Sequence, residues 1–419
     1  GYKFNSNSDT EVALYGFIHY GKKFMNKLIG MFAFAIYDKE KNKIFLFRDR
    51  VGVKPLYYAI DNSFFMFGSE LKPFYHISDF NNKKLINFSA LTHYFQYNYI
   101  SGENTIWENV YKLLPGHILE YDIDTKKVHI EKYWDVFFYY SQPFNLKNYN
   151  LNELLYELEQ ILISSFKYRL VSDVPIGVFL SGGVDSSIVA SYLSKVTNNV
   201  NSFSVCYKDS PEADESLYAE RVAKKLGIKY NLCYFEDKLV YENFIEIMDY
   251  LDEPIADAAI IPLYYIAKFA RKQITVALTG DGGDELFGGY AKYNAQKTIE
   301  NYKYLLFLLS FSKIFFKKDG SYYKFFDCIS LPFYARQFIF GSGSFLPFEA
   351  EKLLNVENIN LEDIFEDAQK YYLKYKNNEK INKSIYLDCK IQLPDWYLVK
   401  SDRATMAASL EARCPLLDK

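Results

Sequence analysis

The sequence predicts a multi-domain α/β chain: an antiparallel, β-rich α+β part over residues 1–140, then a doubly wound parallel sheet with a helical C-terminal part over residues 150–419. Three observations predict it. Short apolar-aromatic runs separated by tight turns crowd the first third of the chain. The hydrophobic spacing becomes helical at Leu151, and from there apolar strands alternate with helices, the pattern of right-handed βαβ crossovers.

In the first part, "FAFAIYD", "KIFLFRD", "PLYYAID" and "SFFMFGS" read as strands divided by "KEKN", by "RVGVK" and by a hairpin at Asp61-Asn62. Together they predict an antiparallel meander. "HILEYDID" and "KKVHIEKYW" add a further hairpin, and the polar-aromatic stretch "FFYYSQPFNLKNYN", residues 137–150, reads as the domain linker.

The second part opens on a helix with Leu151, Leu154, Leu155, Leu158, Ile161 and Leu162 along one stripe. There follow a strand "VPIGVFL", a helix from Ser186, a strand "NSFSVCY", a helix over "ESLYAERVAKKLG", a strand "KYNLCYF", two helices up to Lys272 and a strand "TVALTG". Such apolar strands between helices belong in a parallel sheet covered on both faces. Residues 291–380 read as helical. Within them "YLLFLLSFSKIFF", residues 304–316, is interrupted by Lys313 and too short to span about 30 Å of hydrocarbon, so it reads as a buried helix.

Composition narrows the functional classes. A chain of 419 residues with 49% hydrophobic content supports two to three domains. Its 49 basic and 52 acidic residues leave a net charge of -3, with no basic block to suit a nucleic acid. No membrane partner is expected either. Five widely spaced cysteines without a CxxC pair read as reduced thiols of a cytoplasmic protein. Gly1 in place of a methionine, and Lys419 directly after "CPLLD", read as the ends of a fragment.

Ligands of a doubly wound sheet bind beyond the carboxyl ends of its strands. The first strand there ends at Leu180 and runs into Ser181-Gly182-Gly183-Val184-Asp185-Ser186-Ser187. Two glycines let the backbone approach an anion, the helix that follows presents unpaired N–H groups, and three hydroxyls can donate to phosphate oxygens. The loop lacks the lysine of the familiar triphosphatase loop. Its Asp185 is out of place beside a bare phosphate and makes sense with Mg2+ between the two. The strand "TVALTG" delivers a second glycine loop, Gly280-Asp281-Gly282-Gly283-Asp284-Glu285, whose acids suit a second metal ligand and a group near the reacting centre. Each loop alone could be a tight turn with a capping residue.

"SGGVDSS" is similar to the pyrophosphate loop of the N-type ATP pyrophosphatases, and "LTGDGGDELFGGY" resembles the second loop of the asparagine synthetases among them. "LPDWYLVKSDRATMAASLEARCPLLD" resembles that family's C-terminal segment, with Cys414 and Leu416 where Val and Phe are usual. "SNSDTEV" and "LIGMFAFAIYD…FLFRDRVGVKPLYYA…FGSELK" resemble the second half of a class II glutamine amidotransferase domain. The resemblance implies that Ser181, Gly182, Gly183, Asp185, Ser186 and Ser187 take pyrophosphate and magnesium. It places Leu180, Val205, Thr279 and Gly280 around adenosine, and Asp284 as the second metal ligand. Asp281 falls beside the acyl-adenylate as the group that helps ammonia. Asp9 falls where the family binds the α-amino group of glutamine, although a helix N-cap before "TEVALYGFIHYG" would also use an aspartate. Asp402, Arg403, Glu411 and Arg413 are expected to form an ion-paired framework, for the acid substrate or for structure alone.

The amidotransferase nucleophile of such enzymes is an N-terminal cysteine, and no cysteine here stands at a chain start. The family's late catalytic lysine lies beyond the "RxPFLD" segment, and neither Lys400 nor Lys419 takes its place. The fragment alone is therefore expected not to complete the reaction. The resemblance implies a glutamine-dependent asparagine synthetase: residues 1–140 belong to the glutamine half, residues 150–419 to the half that adenylates aspartate with ATP and Mg2+. A homodimer is left open. The alternatives are a relative that amidates another carboxylate, such as a sugar acid, a β-lactam synthetase, which need not keep Asp9, and a non-catalytic scaffold, which would not need the acids at 185, 281 and 284.

Overall fold

The computed structural model describes residues 2–418 except 62, 83, 143–149, 237, 318, 319, 341, 357, 358 and 378. Contacts divide the chain into two units, one of residues 1–84 with 109–135, the other of residues 85–108 with 136–418.

The first unit holds seven strands: β1 Ala33–Asp38, β2 Lys43–Arg48, β3 Tyr57–Ile60, β4 Phe65–Gly68, β5 Val110–Lys112, β6 His117–Asp122 and β7 Lys127–Lys132. All pair antiparallel, and both hairpins, β3–β4 and β6–β7, form as expected. Asn62 of the first hairpin's turn lies outside the described residues. The single meander does not form: the strands make two sheets, ordered β1-β2-β6-β7 and β4-β3-β5. The period of two explains the split. On β2 Ile44 and Leu46 face a core shared with Leu56 and Tyr58 of the second sheet, while Phe45 and Phe47 pack on the other side with Phe17 and Ala13 of the helix Asp9–Tyr20. A four-strand meander would leave one of these two apolar faces in water.

The second unit is built on β8 Ile176–Phe179, β9 Asn201–Tyr207, β10 Lys229–Phe235, β11 Val276–Leu278 and β12 Glu411–Arg413, all parallel and ordered β10-β9-β8-β11-β12. β12 was not anticipated: three residues with Glu411 and Arg413 at their ends carry too little apolar signal. Val178, Leu180 and Leu278 face one core with Phe166, Val189, Leu193 and Ala219, whereas Phe203 and Ala277 face another with Ile247, Ile260 and Ala404. The sheet is thus wound on both faces. The chain fills β8, β9 and β10 outward and then crosses back to β11, so the order reverses between β8 and β11, and the crevice beyond their carboxyl ends is the ligand position of such sheets.

Two helical expectations change. The helix Leu151–Arg169 forms, but its buried residues are Ser165, Phe166 and Arg169, and Leu151, Leu155 and Ile161 are exposed. Residues 304–316 are not a buried helix. They form the helix Lys303–Ser310 and the 3-10 turn Phe311–Phe315, with Tyr304 78% and Phe315 83% exposed, because apolar residues around the whole circumference cannot all face one core. No helix among the described residues is long and apolar enough to cross a membrane.

The segment 85–108, expected in the first domain, packs in the second unit. Tyr97 and Tyr99 are fully buried there in the helical C-terminal core with Phe338, Phe365 and Trp396. Trp396 sits on a π-helical stretch, Asp388–Tyr397, that contains Pro394.

Candidate active site

At the crevice beyond β8 and β11 lies a cavity of about 440 Å³. Leu180, Ser181, Asp185, Ser186, Val205, Thr279, Gly280 and Asp281 line it, so eight of the residues singled out in the sequence meet on one wall system. Gly182, Gly183, Ser187 and Asp284 shape the loops without lining it.

The serine loop owes its form to its glycines. Gly182 has φ +88, and a Cβ there would fall 2.6 Å from the Ala219 nitrogen, so neither sterics nor space admits a side chain. Gly183 then caps the helix Val184–Val196 with its backbone alone, leaving the first-turn N–H groups without a capping side chain. Ser181 Oγ and Ser186 Oγ lie 3.0 Å apart, and Gly183 N donates to Ser181 Oγ at 3.3 Å. Ser187 Oγ is buried with no protein partner among the described residues. Ser204 Oγ donates to the Leu180 carbonyl and fixes the end of β8.

The acidic loop approaches just as closely. A Cβ on Gly283 would lie 2.3 Å from Asp185 Cγ, so the Asp185 carboxylate rests against the backbone that leads into Asp284. Gly289 leaves the matching space for Asp284, whose Oδ1 lies 1.9 Å from where a Cβ would stand. Burial, and then the negative charge of Asp284, push the Asp185 carboxyl up, and burial pushes Asp284 up. Two partly buried carboxylates, one of them raised by the charge of the other, are a donor set that suits a divalent cation. Asp281 behaves differently. Its Oδ2 accepts from Thr279 Oγ1 and Ser401 Oγ, each at 2.8 Å, so the carboxylate is pinned at the end of β11.

Behind this loop Glu285 is buried and accepts from Tyr290 at 2.7 Å, and burial pushes its carboxyl up to about 7. Beside it Asp388, also buried, is paired with Lys292 at 2.8 Å and receives Tyr293 Oη and Gln337 Nε2, both at 2.9 Å. Sequence reasoning passed over this network, as it passed over Tyr207, Glu215 and Ser401 in the cavity wall, and it named Lys400 there only as no replacement for the late catalytic lysine. An acid directly after Asp284 was the available signal for Glu285.

The expected four-residue ion framework separates into two places. Arg413 pairs with Glu411 at 2.7 Å and donates to the carbonyls of Arg169 and Val171, while Arg403 pairs with Asp252 at 2.7 Å. In the first unit the N-cap role falls to Ser8, whose side chain accepts from Thr10 N, and not to Asp9. Glu11 ties down the preceding loop through Asn5 N and Ser6 N, at 2.9 and 2.8 Å. Asp9 is exposed, and among the described residues its carboxylate keeps one long contact, accepting from Thr10 Oγ1 at 3.5 Å.

With this geometry stands a sequence match: the asparagine synthase family model covers residues 157–419. The chain belongs to the asparagine synthase family. A glutamine amidotransferase domain model matches residues 1–134 in addition. Asparagine synthetase [glutamine-hydrolyzing] 1 of Bacillus subtilis is 33% identical over 431 residues, covering 100% of this chain and 65% of the relative. A putative asparagine synthetase [glutamine-hydrolyzing] 2 of Methanocaldococcus jannaschii is 36% identical, over 69% of this chain and 56% of its own length. Amidase chry2 of Gibberella zeae is 28% identical, over 71% of this chain and 46% of its own. The family chain described here therefore spans less than two thirds of these relatives. Its five cysteines are all free thiols.

Proposed function

We propose that the protein carrying this chain is a glutamine-dependent asparagine synthetase. ATP adenylates the side-chain carboxylate of aspartate, and ammonia released from glutamine attacks the acyl-adenylate, giving asparagine, glutamate, AMP and pyrophosphate. One observation carries the reading: two glycine loops from the strands at the sheet's reversal point bring a hydroxyl-rich anion cradle and the carboxylates of Asp185 and Asp281 to the wall of a single cavity, with Asp284 of the second loop next to Asp185.

In this reading adenosine takes the end of the cavity formed by Leu180, Val205, Thr279 and Gly280. Ser181 and Ser186 exchange their mutual contact for bonds to pyrophosphate oxygens, and Ser187 supplies its unpartnered hydroxyl. The first-turn N–H groups of the helix Val184–Val196 add fixed donors that need no reorganisation. Asp185 and Asp284 would hold Mg2+, which takes one or two carboxylates together with phosphate oxygens and supplies charge neutralisation of the departing pyrophosphate. Asp281, held by Thr279 and Ser401, accepts a proton from the ammonia nitrogen as it bonds to the acyl carbon and AMP leaves. Asp9 takes the α-ammonium of glutamine. We assign glutamine hydrolysis to residues 1–140 and synthesis to residues 150–419, with 85–108 contributing to the fold of the latter. A cytoplasmic location and a homodimer, testable by light scattering, belong to the same reading.

The assay is exchange of labelled pyrophosphate into ATP by the full-length protein, with aspartate offered against other acids. Exchange that depends on aspartate, with AMP as the nucleotide product, is the expected result. Release of ADP and phosphate overturns the nucleotide chemistry. Exchange with a sugar acid but not aspartate favours the second reading.

A further inference from the structure

The cavity carries a charge that the roles above leave unused. Asp185, Asp281 and Glu215 line it, and among the described lining residues Lys400 alone is cationic. A cavity with more anions than cations repels a nucleotide unless something offsets the field. Lys400 is well placed to do so. Its Nζ lies 2.8 Å from Asp257 Oδ2, and its side chain is 18% exposed. Asp257 does not depend on it: Oδ2 also accepts from Trp396 Nε1 at 2.9 Å and Oδ1 from Ala259 N at 2.9 Å. An ammonium carries three donors, and the bond to Asp257 uses one.

Sequence order fixes what Lys400 stands beside. The next residue, Ser401, donates to Asp281, which is held in turn by Thr279 at the end of β11. The helix Leu398–Ala407 therefore carries Lys400 into the wall of the cavity that also holds Val205, Thr279 and Gly280, assigned to adenosine, and Ser181, Asp185 and Ser186 of the serine loop. The group of a bound nucleotide that lies between adenosine and pyrophosphate is the α-phosphate.

We propose that Lys400 is a substrate-binding residue that donates to an α-phosphate oxygen, an assignment that rests on the nucleotide reading of the cavity. Lysine suits the position because a compact, hydrated ammonium can leave Asp257 for a phosphate oxygen without the planar geometry that a guanidinium demands. The role is distinct from that of a catalytic lysine, since no proton needs to move.

Binding of adenosine, AMP and ATP to the full-length protein, with Mg2+ present and no acid substrate, tests it by calorimetry on wild type, Lys400→Met and Lys400→Arg. Lys400→Met is expected to weaken AMP and ATP about tenfold or more, to leave adenosine within about twofold, and to be partly restored in Lys400→Arg. Equal weakening of all three ligands would show that Lys400 only shapes the fold. Unchanged AMP and ATP would show that its charge serves something other than the α-phosphate. Either result overturns the assignment. Failure of the wild type to bind any of the three would overturn the nucleotide reading as well, and is read before the variants are compared.

Discussion

At the scale of single residues the site depends on close approaches that only glycine permits. Gly283→Ala places a methyl group where the Asp185 carboxyl now rests, 2.3 Å from its Cγ, and the carboxylate must move. Pyrophosphate formation is expected to fall about a hundredfold, as for other ångström-scale misplacements, with an unchanged circular dichroism spectrum. In the proposed reaction the neighbouring acids have separate roles. Asp284→Asn is expected to slow pyrophosphate exchange and to be partly rescued by added Mg2+. Asp281→Asn should keep most exchange while amide formation falls by about 10²–10⁴-fold, and equal loss of both rates would remove Asp281 from the amidation step. In the other half, Asp9→Ala should raise the glutamine KM about tenfold or more and spare ammonia-driven synthesis, because Ser8 and not Asp9 caps the helix. Glycine and acid spacing at two strand ends made most of this site legible in the sequence. Lys400 and Ser401 were not legible as cavity residues, because they arrive from a helix more than a hundred positions downstream and no local pattern marks the face that turns toward β11.

At the scale of elements, the acidic loop is backed by an unusual support. The π-helical stretch Asp388–Tyr397 brings Asp388 to Lys292, Tyr293 and Gln337 in a buried network beside Glu285. Removing one partner of a buried ion pair leaves an uncompensated charge. Lys292→Met is therefore expected to lower stability by about 3–5 kcal/mol, read by urea unfolding. Asp388→Asn, which keeps hydrogen-bonding capacity, should cost less. The strands of the second unit were read well, since four of the five are apolar runs between helices. β12 escaped because its neighbours in the sheet, and not its own residues, make it a strand. The first unit's strands were equally clear, but their pairing was not: β2 carries apolar residues on both faces, and its second edge pairs with β6, about seventy residues later.

At the scale of the molecule, the order of the chain and the order of its packing differ. A boundary near residue 140 follows from composition, yet the segment 85–108 contributes Tyr97 and Tyr99 to the core of the second unit, with ring centroids 4.8 Å from Phe365 and 5.3 Å from Trp396. Nothing local could announce this, because "LTHYFQYNYI" has the same aromatic character as the strands around it and its partners lie over two hundred residues away. A protein begun at Val136 is expected to be insoluble or to melt well below the intact chain, since two buried aromatic side chains, worth about 1.5–3 kcal/mol each, are missing from its core. Joining residues 85–108 to Val136 through a flexible glycine-serine linker should recover a cooperative transition in calorimetry, and failure to do so would mean that the first unit is itself required. The same arrangement constrains how such a gene can recombine. A crossover after residue 140 that exchanged the first part of the chain for that of a relative would import a foreign segment into the recipient's core. Exchanges that leave 85–108 with its host require three breakpoints, near 84, 109 and 136, or a donor whose segment already fits the same aromatic pocket, so the two parts of the chain are expected to be inherited together more often than they are shuffled.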